Sequence, residues 1–176
     1  MKQAKRLITG QELETKIRDG LEKAYILEKA GYGPRAGNVM LEQNYGEPQV
    51  SRDGITNIKR FFLEDAVENE AVRAVYQASS QSNKNVGDGT TATILLSVLL
   101  YQEAQKQISA GKNRMEVSRR LKEVSYEVVE QCKKLAKPFT DELLPKVAEI
   151  SAGSVELGVL INALFQRLEQ SLYGRA

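Results

Sequence analysis

Apolar residues return every three or four positions along 11–29, where Leu13, Ile17, Leu21, Ala24 and Leu27 share one face and charges the other. That spacing predicts an amphipathic helix. Its end falls at Gly31-Tyr32-Gly33-Pro34, where glycine would permit a left-handed cap and proline forbids continuation. Short β-leaning stretches at 38–42 and 49–52 flank Tyr45-Gly46-Glu47-Pro48 and predict a small hairpin, left through a turn at Arg52-Asp53-Gly54. A second helix is expected over 63–81, with Ala66, Val67, Val72 and Val75 as apolar positions, followed by a loop over 82–88. The third, over 90–109, is apolar nearly all round its first half and is expected at the centre of the core. A fourth covers 114–135, with Val117, Leu121, Val124, Val128 and Leu135 on one stripe. Pro138 then breaks the chain, before a short helix near 142–148 and an amphipathic one over 155–172.

Composition narrows the function more than the fold. With 41% hydrophobic, 27% charged and only 6% aromatic residues, the 176-residue chain reads as globular and helix-leaning. A net charge of +2 gives no ground for nucleic acid or an anionic membrane as partner. The absence of histidine excludes every histidine-based general base or metal site. Cys132 is the one cysteine, so no disulfide framework is expected and a reducing compartment is. The opening residues MKQAKRLITGQ lack the apolar core of a secretory signal, and the run 94–101, broken only by Ser97, falls short of the ~20 residues of a membrane span. A cytoplasmic location is expected.

The candidate chemistry centres on NVGDGTTATILL, residues 85–96. Asp88-Gly89-Thr90-Thr91 opens a helix, so unpaired N–H groups and the positive end of the dipole face the preceding loop. Gly87 and Gly89 would let a bulky anion reach the backbone, Thr90 and Thr91 could donate hydroxyls, and Asp88 is an oxygen ligand suited to Mg²⁺. The loop is not a Walker A sequence, and the same residues would also serve as a plain glycine turn with a threonine cap. Gly31-Tyr32-Gly33-Pro34 and Arg52-Asp53-Gly54 are two further turns at element boundaries. Each would equally serve as an ordinary stop or hairpin exit.

Several segments, taken in order, resemble the group I chaperonins, the GroEL family. They are GYGPRAGNVML (31–41), YGEPQVSRDGITN (45–57), LEDAVENEAVRAV (63–75), GDGTTATILL (87–96), SAGKNRMEV (109–117) and EISAGS (149–154). The 35 residues from Asp53 to Asp88 also fit the family spacing. The resemblance covers about 12–160 and implies a mainly α fold: an equatorial-domain-like helical bundle with a small hairpin, plus the first helices of an intermediate domain. It implies an N-terminal half of an ATP-binding equatorial domain over 1–136 and the start of an intermediate domain over 137–176. It also implies roles. Gly33 and Pro34 meet the nucleotide, Asp53 helps hydrolysis near the γ-phosphate with Arg52 and Gly54 in its turn, and Asp88 holds Mg²⁺. Gly87, Gly89, Thr90 and Thr91 form the phosphate cradle, and Ser151 stands near the phosphates.

The cofactors implied are ATP and Mg²⁺, and the function is ATP-dependent assistance of protein folding. The partners implied are a homo-oligomer or other chaperonin segments. Unfolded proteins and a co-chaperonin would bind only through domains beyond these residues, which also carry the family's second catalytic carboxylate. Departures from the family pattern are Gly31 and Ala92 in place of threonines, Arg52 for lysine, Gly153 for asparagine and Val155 for an acid. They keep open a non-catalytic helical interaction module on a chaperonin scaffold. A metal-dependent phosphohydrolase using Asp53 and Asp88 is a third reading.

Overall fold

The computed structural model describes residues 7–34, 36–42, 46–51 and 53–173, with the side chains of 169–173 left aside. Helix α1, Gly10–Ala30, forms where the first apolar stripe lies, and its Leu21, Ala24 and Leu27 are buried. Strands β1 (Val39–Leu41) and β2 (Gln49–Ser51) pair antiparallel as a hairpin, with Met40 opposite Val50. Helix α2, Gly54–Arg60, occupies a stretch that sequence patterning leaves as a turn and its exit. Seven residues are too few for a periodic stripe, yet Ile58 and Asn57 are buried by it.

Helix α3 runs Ala66–Val86, starting three residues later and ending five residues beyond the predicted 63–81. Nothing between Ser82 and Val86 breaks a helix, and Gly87 ends it in the left-handed conformation at φ 79°. Asp65 caps its start, accepting the N–H groups of Val67 and Glu68 at 2.9 and 3.2 Å. The ion pair with Lys16 and these N–H groups hold the Asp65 carboxyl below its usual range. Helix α4, Thr90–Ser109, lies against α1 and α3, burying Ile94, Leu95 and Val98. Only one side of it is covered: Leu96, Leu99 and Leu100 are about half exposed.

Leu21, Ala24, Leu27, Val72, Val75, Ile58, Ile94 and Val98 form the core of this bundle. α1 and α3 meet unusually closely at Gly20, where a Cβ would overlap the Glu68 carbonyl oxygen and lie 2.8 Å from its Cα. Gly20→Ala should therefore destabilise the fold by about 1–3 kcal/mol through overpacking, despite the ~1 kcal/mol that alanine gains in helix propensity. Urea denaturation of the variant measures this, and an unchanged or raised midpoint would contradict the close approach.

Helix α5 is Arg114–Leu135, and the chain divides into two compact units inside it, between Arg120 and Leu121. In the second unit a 3₁₀ turn, Asp141–Leu143, leads into α6, Leu144–Ala152, which packs on α7, Val155–Tyr173. Gly158 makes that contact possible, since a Cβ there would lie 2.6 Å from the Glu149 Cα. α6 continues four residues past its predicted end and stops at Gly153, φ 64°. Among the described residues no helix is long and apolar enough to cross a membrane.

Candidate functional site

Three element ends converge in the first unit. The last turn of α1 brings Glu28, the first residue of α2 is Gly54, and the first turn of α4 brings Thr91. The approach is close, because a Cβ on Gly54 would overlap both Thr91 Oγ1 and Glu28 Oε2. Only glycine fits there. Asp53 immediately precedes it as the exposed N-cap of α2, with its N–H on Ser51 Oγ at 3.0 Å and its carboxylate accepting the Thr56 hydroxyl.

The loop before α4 is short and bolted down. Gly87 and Gly89 both adopt positive φ, at 79° and 75°, with the exposed Asp88 between them. Asp88 Oδ1 accepts the Gly89 N–H at 2.6 Å. The hydroxyls of Ser82 and Ser79 on α3 donate to the carbonyls of Asp88 and Thr90, each at 3.1 Å. Gly89 is the N-cap and offers no side chain, so neither threonine caps the helix. The first helical bond is Thr93 N–H to Gly89 carbonyl at 2.9 Å. The N–H groups of Thr90, Thr91 and Ala92 thus have no partner within the helix and face the loop. Nothing lies within 4 Å of where a Gly87 Cβ would stand.

Sequence reasoning passed over Glu28. It lies four residues after Ala24 and seven after Leu21, on the buried stripe of α1, and that spacing is the signal that could have found it. The residue is 1% exposed, Oε1 has no hydrogen-bond partner, and the Thr91 hydroxyl stands beside the carboxyl, both crowding the place a Gly54 Cβ would take. Burial, with the nearby Thr91 hydroxyl opposing it and the Asp53 charge adding to it, pushes the carboxyl up to about 7.

The remaining sequence-predicted residues take these places. Gly33, not Gly31, is the left-handed residue of the first turn (φ 87° against −93°), and both Gly33 and Pro34 are exposed. The turn reaches α4 through a groove of 710 Å³, lined by Tyr25, Tyr32, Ala92 and Leu95 among others. Arg52 lies outside the described residues, as does Tyr45 of the hairpin loop. Ser151 is exposed on α6 in the second unit. Among the described residues no three acidic or cysteine side chains cluster tightly enough to hold a metal alone. A cation at Asp88 would need oxygen ligands from its anion as well, which is how Mg²⁺ is commonly bound.

A family model, the TCP-1/cpn60 chaperonin family, matches residues 27–165. The RuBisCO large subunit-binding protein subunit beta, chloroplastic, of Pisum sativum is 37% identical over 139 residues, which are 79% of this chain and 23% of that protein. The chain thus spans 23% of the length of this curated relative. Among solved structures, the chaperonin gp146 from the bacteriophage EL 2 (Pseudomonas aeruginosa), in the presence of ATP-BeFx, superposes with a TM-score of 0.78 at 22% identity. That match covers 89% of this chain and 28% of the other. A group III chaperonin in the open state gives 0.75 at 23% identity, covering 92% and 33%. At these identities the structural likeness shows the fold.

Proposed function

Because the chain belongs to the TCP-1/cpn60 chaperonin family, we propose that it is the ATP-binding portion of a chaperonin that assists protein folding. The observation that carries this reading is the convergence at Gly54, which sets the Asp53 turn against the open first turn of α4. The N–H groups of Thr90, Thr91 and Ala92, with Gly87 and Gly89 leaving space beside them, take the phosphates. Asp88 holds Mg²⁺, which when bound offsets the phosphate charge. Gly33 and Pro34 border the nucleotide, with Gly54 and Arg52 on either side of Asp53. Asp53 orients a water, and hydrolysis belongs to a chaperonin of full family length.

The division at residue 136, between an equatorial half and the start of an intermediate domain, is part of this proposal. So are a cytoplasmic location and self-association, the latter supported by the half-exposed leucines of α4. The test is calorimetry with ATP. Binding is expected with Mg²⁺ and lost in EDTA; equal binding in both would remove the metal from the site.

The departures at Gly31 and Ala92, and the buried Glu28 beside Thr91, favour a second reading. In it the chain is a non-catalytic helical interaction module. A chain that self-associates in light scattering yet binds no nucleotide would establish that reading instead.

A further inference from the structure

The Thr91 hydroxyl has a single proton, and two acceptors compete for it. One is the Glu28 carboxyl, which stands beside it and whose charged form it favours; the other is a phosphate in front of the helix. When Glu28 is ionised it can only accept, so the hydroxyl proton is committed to it. When Glu28 is protonated its own O–H can donate to Thr91 Oγ1, and the threonine proton is released toward the loop. We propose that Glu28 is a positioning residue for the phosphate site, whose protonated carboxyl turns the Thr91 hydroxyl outward, so that the site takes up one proton together with its Mg²⁺-nucleotide. This rests on the nucleotide reading given above and adds a coupling to it.

The geometry leaves the carboxyl few alternatives. Glu28 is 1% exposed, Oε2 is pinned between Gly54 and Thr91, and Oε1 is buried without a partner. The surrounding charges do not neutralise it. From α2 it faces Asp53, whose charge disfavours ionisation. α4 carries no charge between Thr90 and Tyr101. At α3, its cap Asp65 and its Glu68 pair with Lys16 and Lys23 earlier on α1, and Arg73 pairs with Glu70 at the surface. On α1 itself the adjacent Lys29 is exposed and sits over the Tyr25 ring, 5.4 Å from its centroid. The resulting carboxyl titrates at about 7, so both protonation states are populated near neutrality.

The experiment is calorimetry of Mg²⁺-ADP binding at pH 6, 7 and 8, run in two buffers of different ionisation enthalpy, such as Pipes and Tris. For the wild-type chain, uptake of about half a proton is expected at pH 7, with affinity roughly tenfold weaker at pH 8 than at pH 6, following the protonated fraction of Glu28. Glu28→Gln should bind with the same affinity at all three values and show only the proton exchange of the nucleotide itself. Thr91→Val should bind more weakly and lose the coupling as well. Wild-type binding without proton uptake, or a tenfold pH dependence that survives Glu28→Gln, overturns the proposal alone. No binding by the wild type at any pH overturns the nucleotide reading, and this inference with it.

Discussion

Asp88→Ala is expected to weaken Mg²⁺-ATP binding by ~100-fold or more while leaving the fold in place. Losing a group that only orients a metal ligand commonly costs 10–100-fold, and Asp88 is proposed as the ligand itself. No cluster of acids stands by to replace it among the described residues. The structural cost should be small, because the side chain is exposed and its observed bond is to the N–H of its own neighbour, Gly89. Alanine removes the metal ligand and leaves the Ser82 bond to the residue-88 carbonyl untouched. Calorimetry gives the affinity and a thermal melt gives the stability. A variant that melts like the wild type and binds Mg²⁺-ATP equally well would show that the cation, if bound, sits elsewhere.

Glu28 should make the stability of the ligand-free protein depend on pH in the direction opposite to a salt-bridged carboxylate. Its folded value is raised from 4.5 to about 7, so the folded chain holds the proton more tightly than the unfolded one. The associated stability is fully present below about pH 4.5, is lost as pH rises toward 7, and does not fall further above that. A displacement of this size corresponds to on the order of 3 kcal/mol, a large share of the ~5–15 kcal/mol that holds a domain together. Glu28→Gln, which has no charge to bury, should be more stable than the wild type at pH 8 and little different at pH 4.5. Urea midpoints across that range decide it. Parallel curves for the two proteins would mean that water or a movement of α1 solvates the carboxylate.

The helices most readily read from the sequence are those long enough to repeat a stripe: α1, α3, α4, α5 and α7 each span nineteen or more residues, while the short α6 was expected with its end four residues early. The hairpin was legible because its turn residues and β-leaning flanks agree with each other. α2 was not, since seven residues give no period and its helix is fixed by burying Ile58 against neighbours distant in sequence. The glycines around Asp88 announced an opening for an anion, and both do adopt left-handed geometry. What the sequence hides is the fate of a hydroxyl. Thr91 reads as a free donor until folding sets Glu28 beside it, and Glu28 reads as a polar edge of α1 until the buried stripe is counted residue by residue.

The two serine hydroxyls of α3 have a mechanical consequence. Ser79 and Ser82 hold the carbonyls of Thr90 and Asp88, and the Gly87 N–H closes α3 on Asn83 at 2.9 Å. The segment between the two helices is therefore stitched to the one before it at two points, and cannot breathe as an independent lid. Moving that segment away from α3 requires breaking both serine–carbonyl bonds. On the nucleotide reading proposed above, polar changes at Ser79 or Ser82 are then expected to alter a release rate without removing any of the proposed ligand atoms.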